Sequence, residues 1–497
     1  MLIGNRERFA IELVPIAPGW ESRYAPEAAA WAGLSMWVKG SNLCRHVREG
    51  EEEIREAFYV PLAPLADWIV RHHAALRLEE RAAGFITNRR LHDAVRAWGD
   101  APAPAGVDED AWLDAREAFW SRHFLAAGAD GARLPNVALL RSDDDMLITW
   151  DAPRFAAPPA VEMIHPRGSV TLAWHEVSDA LHQLTEHVVA AFAAAGVSVP
   201  YPWMSAAPST WHHLDPRIAV ELYCGRSLAE LAALLSMKES QVLPLLLGST
   251  TQDPGASPVS QVVRDLPPRP SPDIGTEIHR TASRAMTSAP ARRAAWLAGR
   301  DLAADASRAG ATPEEQGQLA ARAVRDELKR DGEPIDSVES VLAHFGVELQ
   351  PSIARFQRER MVIAGRSNAS VSATILRTAR TEMSWGRRFE EARALGHALL
   401  DPLREGVMGA ASTRWAQPSR RRRSGAFAAE LLLPSSALEA LSDGVLDGAA
   451  EPGRFEDLLE QYGVGARTAA NQLYNQRWLS DRAVREELIE LFGHREE

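Results

Sequence analysis

Apolar positions along this chain switch between a period of two and a period near 3.6, and each switch marks an element. In RFAIELVPI, Phe9, Ile11 and Leu13 alternate with their neighbours and predict a strand. Leu34 to Cys44 reads as strand, glycine turn, strand. From Pro64 to about Arg81 the apolar stripe Leu65, Trp68, Ile69 and Leu76 has helical spacing, with Pro64 in the first turn. A further helix covers roughly Glu109 to Ala127. Asn136 to Trp150 sets two apolar runs around Ser-Asp-Asp-Asp and predicts a hairpin. Ser169 to Trp174 is a strand that feeds a helix from about His175 to Ala195, ended by Gly196.

The pattern then changes character. Gly225 to Gly248 has the outline of helix-turn-helix, a short helix, a Ser-Met-Lys turn and a second helix. Its second helix offers Gln241, Pro244 and leucines where base and phosphate contacts need polar and basic side chains, so it predicts a packing module. Pro- and Ser-rich residues 256–275 read as a linker. Helices resume from Ile274 to about Ala309. Thr312-Pro-Glu-Glu-Gln then starts another, with Thr312 as cap and acids in the first turn. The expectation is a multidomain α+β protein. It comprises a Trp-rich α+β domain over 1–200, a short helical segment over 201–255, the linker, and a mostly helical domain with a small sheet over 276–497.

Composition narrows the function. The 497 residues are 46% hydrophobic and 25% charged, ordinary for a soluble globular protein. A net charge of −12 argues against broad attraction to nucleic acid or anionic membrane. Two distant cysteines, Cys44 and Cys224, form neither a disulfide framework nor a thiolate metal site, and no apolar run is long enough for a membrane span or signal peptide. These features predict a cytoplasmic protein without a membrane partner. Eleven of fifteen tryptophans fall in residues 1–211, which fits either an aromatic core or a recognition surface. The histidines of the same part share no metal-binding spacing. His175 and His182 stand about 10 Å apart along one helix, and His182 and His187 point about 140° apart.

The most informative stretch is Trp385 to Asp401, WGRRFEEARALGHALLD, where Phe389, Ala392, Leu395, Gly396 and Leu399 form one helical face. It stands in a succession: Ala321 to Leu349, short strands around Met361 to Leu376, Arg387 to Asp401, Arg423 to Pro434 with its Phe-Ala-Ala-Glu-Leu-Leu, and Phe455 to Ser480. That succession, over about residues 315–490, resembles the ImmA/IrrE family of metallopeptidases. The resemblance implies a zinc-binding helix with His-Glu-x-x-His and a third, acidic ligand a few residues before Phe427. Carried over position by position, the first His falls on Arg393, the general base on Ala394 and the second His on His397. The third ligand falls within Arg421 to Gly425, which has no carboxylate. One imidazole does not make a zinc site, so the resemblance implies a pseudoenzyme with no catalytic residues, no metal and no cofactor.

The expected function is therefore a catalytically inactive scaffold that binds one or more protein partners in a regulatory or defence setting. Phage defence in a bacterium is one such setting. His397 reads either as a core or cleft-lining histidine hydrogen-bonded to backbone, or as the neighbour of an Arg393 that occupies the old metal position and pairs with a carboxylate, keeping the cleft shaped for a peptide. Two alternatives stay open. One is a metallopeptidase with non-standard ligands. The other is a DNA-binding regulator acting through Arg420, Arg421, Arg422 and Arg423 or through Arg467, Asn471 and Asn475, spaced i, i+4, i+8 on a tail helix. The arginine run itself reads as a solvated loop or as a contact to an acidic partner or phosphate.

Overall fold

The computed structural model describes residues 1–15, 30–48, 50–80, 108–128, 134–142, 145–151, 161–165, 167–199, 201, 204, 214–247, 257–266, 270–271, 273–285, 290–306, 311–356, 362–366, 371–401, 408–411, 418–441, 452–475 and 482–493. It is an α+β protein of two compact units, Met1–Arg226 and Ser227–Glu497. The segment expected as a separate helical module is thus divided at Arg226.

In the first unit β1 (Leu2–Gly4), β2 (Phe9–Val14), β3 (Trp31–Val38) and β4 (Ser41–Asn42) form an antiparallel sheet, with β7 (Phe58–Pro61) also paired to β3. The β3–β4 turn is the expected one: Lys39 and Gly40 both take positive φ, at 45° and 78°. A small sheet holds β5 (His46–Arg48), β6 (Ile54–Arg55) and β10 (Val161–Met163). The predicted hairpin forms as β8 (Val137–Ser142) and β9 (Asp145–Asp151), joined by β11 (Arg167–Ala173). Its two middle turn residues lie outside the described ones. Helices α1 (Leu62–Leu78), α2 (Glu109–His123), α3 (Trp174–Ala194) and α4 (Pro216–Cys224) complete the unit. The apolar faces of α1 and α3 share one core with Phe9, Ile11 and Leu13. Trp68, Trp112 and Trp120 are buried and Trp31, Trp37, Trp150 and Trp174 half-buried, so these tryptophans contribute largely to the interior.

The second unit opens with α5 (Leu228–Leu235) and α6 (Glu239–Leu247), joined through Ser236 at positive φ. Ser227 and Glu230 form a capping box at the start of α5. The predicted linker instead contains α7 (Pro258–Arg264), with Val259, Val262 and Val263 buried. Ser257 and Ser260 donate to the carbonyls of Leu245 and Leu246 at 2.8 and 2.6 Å, satisfying the open end of α6. The prolines around α7 punctuate it rather than unfold it, because the valines fall at i, i+3 and i+4. The rest of the Pro-rich stretch lies partly outside the described residues.

After α8 (Ile274–Ala285) and α9 (Pro290–Ala306) comes α10 (Pro313–Glu327), with the Thr312–Glu315 capping box and Pro313 in its first turn. Then follow α11 (Val338–His344), β12 (Val347–Arg355), β13 (Val362–Arg366), β14 (Val371–Arg377), α12 (Ala379–Glu382), α13 (Ser384–Leu400) and β15 (Met408–Ala411). The chain ends in α14 (Pro418–Leu432), α15 (Ser435–Leu441), α16 (Pro452–Tyr462), α17 (Ala466–Asn475) and α18 (Arg482–Gly493). The sheet order is β12-β14-β13-β15, with β12 parallel to β14 and the other pairs antiparallel. Among the described residues no helix is long and apolar enough to cross a membrane.

Packing around α13 is set by close backbone approach. A Cβ on Gly396 would lie 2.9 Å from the Phe427 ring, and one on Gly317 would lie 2.2 Å from the Arg423 carbonyl oxygen. Only glycine admits α10 and α13 this close to α14. Trp296 on α9 donates to the Ala398 carbonyl at 2.8 Å. The Arg388 guanidinium reaches the carbonyls of Ile335, Asp336 and Tyr462, and buried Arg325 reaches those of Arg330, Glu333 and Leu431. Arginines thus satisfy carbonyls both at helix ends and in the loop before α11.

Candidate functional site: a buried charge cluster between two helices

Helix α13 is amphipathic in the wrong sense for a surface helix. Its interior face carries Leu395, Gly396 and Leu399, but Glu390, Glu391, Arg393 and His397 are buried as well. Charges held away from water need partners, and each finds a different degree of satisfaction. Glu391 accepts from Arg387 at 2.8 Å. His397 donates from Nδ1 to Oδ2 of Asp401 at 2.9 Å, one helical turn on. The other Asp401 oxygen accepts from Arg423 on α14 at 2.5 Å. Burial alone would raise the Asp401 carboxyl, but His397 and its hydrogen bond, then Arg423 and Arg420, outweigh it and hold the group far below the usual carboxylate range.

Arg393 is less well served. Its side chain is 9% exposed, and among the described residues its one ion pair is with Glu390 at 3.7 Å, too long for a hydrogen bond. Among the described residues Nε and one Nη of Arg393 have no hydrogen-bond partner, nor do Oε2 of Glu390 and Nε2 of His397. Burial, against the pull of Glu390 and with the nearby Arg421 charge adding to it, pushes the guanidinium below its usual range.

The structure brings Arg393, His397 and Arg423 together through Asp401, with the charges of Arg420 and Arg421 nearby, and leaves Ala394, Gly425 and the α17 positions out of the cluster. Ala394 is buried in the core with no chemistry to offer. Gly425 faces open space, since a Cβ there would meet nothing within 4 Å; of Arg421 to Gly425 it is Arg423 that reaches inward. The arginine run is not a solvated loop but the first turns of α14, where helical rotation sends its members in different directions. Arg420 is buried, Arg421 half-buried, and exposed Arg422 pairs with Glu314 at 3.3 Å. On α17, Arg467 and Asn475 are exposed and Asn471 half-buried, while Ala466, Ala469, Ala470 and Gln472 face inward. Gln472 donates to Glu430 at 2.8 Å and so ties α17 to α14.

Asp401 is the site residue that sequence reasoning missed. Its signal in the sequence is the i, i+4 spacing from His397, which belongs to no metal-binding motif. Asp401 is the C-cap of α13, its backbone N–H bonded to the His397 carbonyl. The zinc implied by the peptidase resemblance does not fit these residues. Both Asp401 oxygens are taken, a single imidazole nitrogen remains, and two guanidiniums lie close by. Among the described residues no group of three His, Cys, Asp or Glu could hold a metal ion.

No family profile and no curated protein matches the chain. Among solved structures, CdiI from Burkholderia dolosa AUO158 aligns over 38% of this chain and 99% of its own length, at 16% sequence identity and a TM-score of 0.24. So low a score supports no statement about fold or function.

Proposed function

We propose that residues 276–497 form a degenerate ImmA/IrrE-like domain that has exchanged zinc for an internal salt-bridge cluster, and that the protein acts by binding another protein in a regulatory or defence role within the cytoplasm. The observation that carries this reading is the Asp401 carboxylate, which spends its oxygens on His397 and Arg423. A guanidinium thus stands near the positions where the resemblance expects a dication. A fixed cation keeps a cleft shaped without a metal. Cys44 and Cys224 are buried and not joined in a disulfide, which suits a reducing compartment, and burial pushes the Cys44 thiol up to about 12.

Elemental analysis of full-length protein grown with added zinc tests the reading. Substoichiometric metal, the same for wild type and His397→Ala, is expected; stoichiometric zinc lost in His397→Ala would restore the peptidase alternative. A nucleic-acid partner is the second reading, favoured only by the outward set Arg467, Asn471 and Asn475. Salt-dependent DNA binding abolished by Arg467→Ala and Asn471→Ala would support it, and no binding at low salt would remove it.

A further inference from the structure

We propose that the cluster between α13 and α14 is a binding site for an oxyanion, a phosphate or carboxylate group, recognised by the unpartnered N–H donors of Arg393 beside His397. Three observations converge on it. First, the nine-tenths buried Arg393 side chain keeps N–H donors that no described group accepts. A buried guanidinium presents a planar fork of donors, and leaving part of the fork empty is costly. Second, His397 lies one turn further along the same face of α13, 2% exposed, with Nδ1 engaged by Asp401 and Nε2 without a partner.

Third, the charges do not balance: Arg393, Arg420, Arg421 and Arg423 outnumber Glu390 and Asp401. Asp401 is committed to Arg423 and His397, and Glu390, its Oε2 itself without a partner among the described residues, stands 3.7 Å from Arg393. One anion would add negative charge and accept from the vacant Arg393 donors at once. The inference is independent of the peptidase resemblance.

The test uses the full-length protein, with inorganic phosphate and acetate as probes and chloride at matched ionic strength as reference. Isothermal titration calorimetry and thermal melting read the outcome. Saturable binding of at least one probe is expected, weakened at least about tenfold in Arg393→Met, as for loss of a charge-assisted hydrogen bond, and unchanged in Arg422→Ala. Phosphate alone binding would point to a phosphorylated ligand, and acetate alone to a peptide carboxylate. If Arg393→Met fails to fold, Arg393→Lys, which keeps the charge but loses the donor fork, serves in its place with the same expectation. No saturable binding by wild type, or binding undiminished in the folded variants, overturns the proposal.

Discussion

Each unit of this protein buries a carboxylate between an arginine and a histidine, and the two clusters differ in completeness. In the first unit Glu79 accepts from Arg122 at 2.8 and 2.7 Å and contacts His123 Nε2 at 3.1 Å, while His123 Nδ1 faces the Leu139 carbonyl at 2.8 Å. Neither Glu79 nor His123 is left with an unpartnered buried atom. The cluster ties the end of α1 to α2 and to the β8 strand, and nothing in it remains to meet a ligand. In the second unit Asp401 is equally committed, but His397 Nε2 and Arg393 are not. The lesson is that burial of charge alone does not mark a site. A satisfied cluster is architecture, whereas one with open donors keeps hydrogen-bonding capacity unused.

The first way to break the comparison is to remove the complete cluster's anion. Glu79→Gln is expected to destabilise the first unit by about 3–5 kcal/mol, since it strands Arg122 against buried His123. Tryptophan fluorescence in urea reads mostly this unit, because eleven of fifteen tryptophans lie within residues 1–211. Asp401→Asn should cost the second unit about 3 kcal/mol, by leaving Arg423 and His397 without a counter-charge; an unchanged urea midpoint by circular dichroism would show that the cluster does not matter to folding.

Acid should reproduce part of both effects. Glu79 and Asp401 are held below their ordinary values of 4.5 and 3.8, Glu79 by hydrogen bonds from His123 and Arg122 that outweigh its burial. A carboxyl lowered in the folded state stabilises above its unfolded value, and that contribution disappears as pH falls through the folded one. Urea midpoints should therefore hold between pH 7 and 5 and drop steeply below about pH 4. A flat profile to pH 3 would contradict both assignments.

The sharpest contrast is between arginines. Arg393→Met should change stability by no more than about 1 kcal/mol and could raise it, because it removes unsatisfied donors from the interior. A loss as large as that in Glu79→Gln would mean Arg393 is as structural as Arg122. Arg422→Ala should be smallest, within about 0.5 kcal/mol, since its pair with Glu314 is exposed.

Much of this architecture could be read from periodicity and caps. The Asn136 to Trp150 hairpin, the helix after Trp174 and the Thr312 cap all lie where local rules put them, because each is decided within a few residues. The helix at Pro258–Arg264 was hidden by its flanking prolines, although its valine spacing was visible. The site divides the same way. Arg393 and His397 sit on one face by helical geometry alone, but the Arg423–Asp401 pair joins residues 22 apart across two helices. Nothing local tells an arginine in a run of four which of its members will turn inward. Only the docking of α14 on α13 decides that.

That docking rests on two missing methyl groups, at Gly317 and Gly396, where Phe427 and the Arg423 backbone lie against bare Cα atoms. Geometry and chemistry are thereby governed by separate positions. The spacing of the helices is owed to residues that carry no function, so the side chains between them can be exchanged without moving the walls. A lineage holding those two glycines could exchange the charged side chains between α13 and α14 and keep the helices at the same spacing throughout.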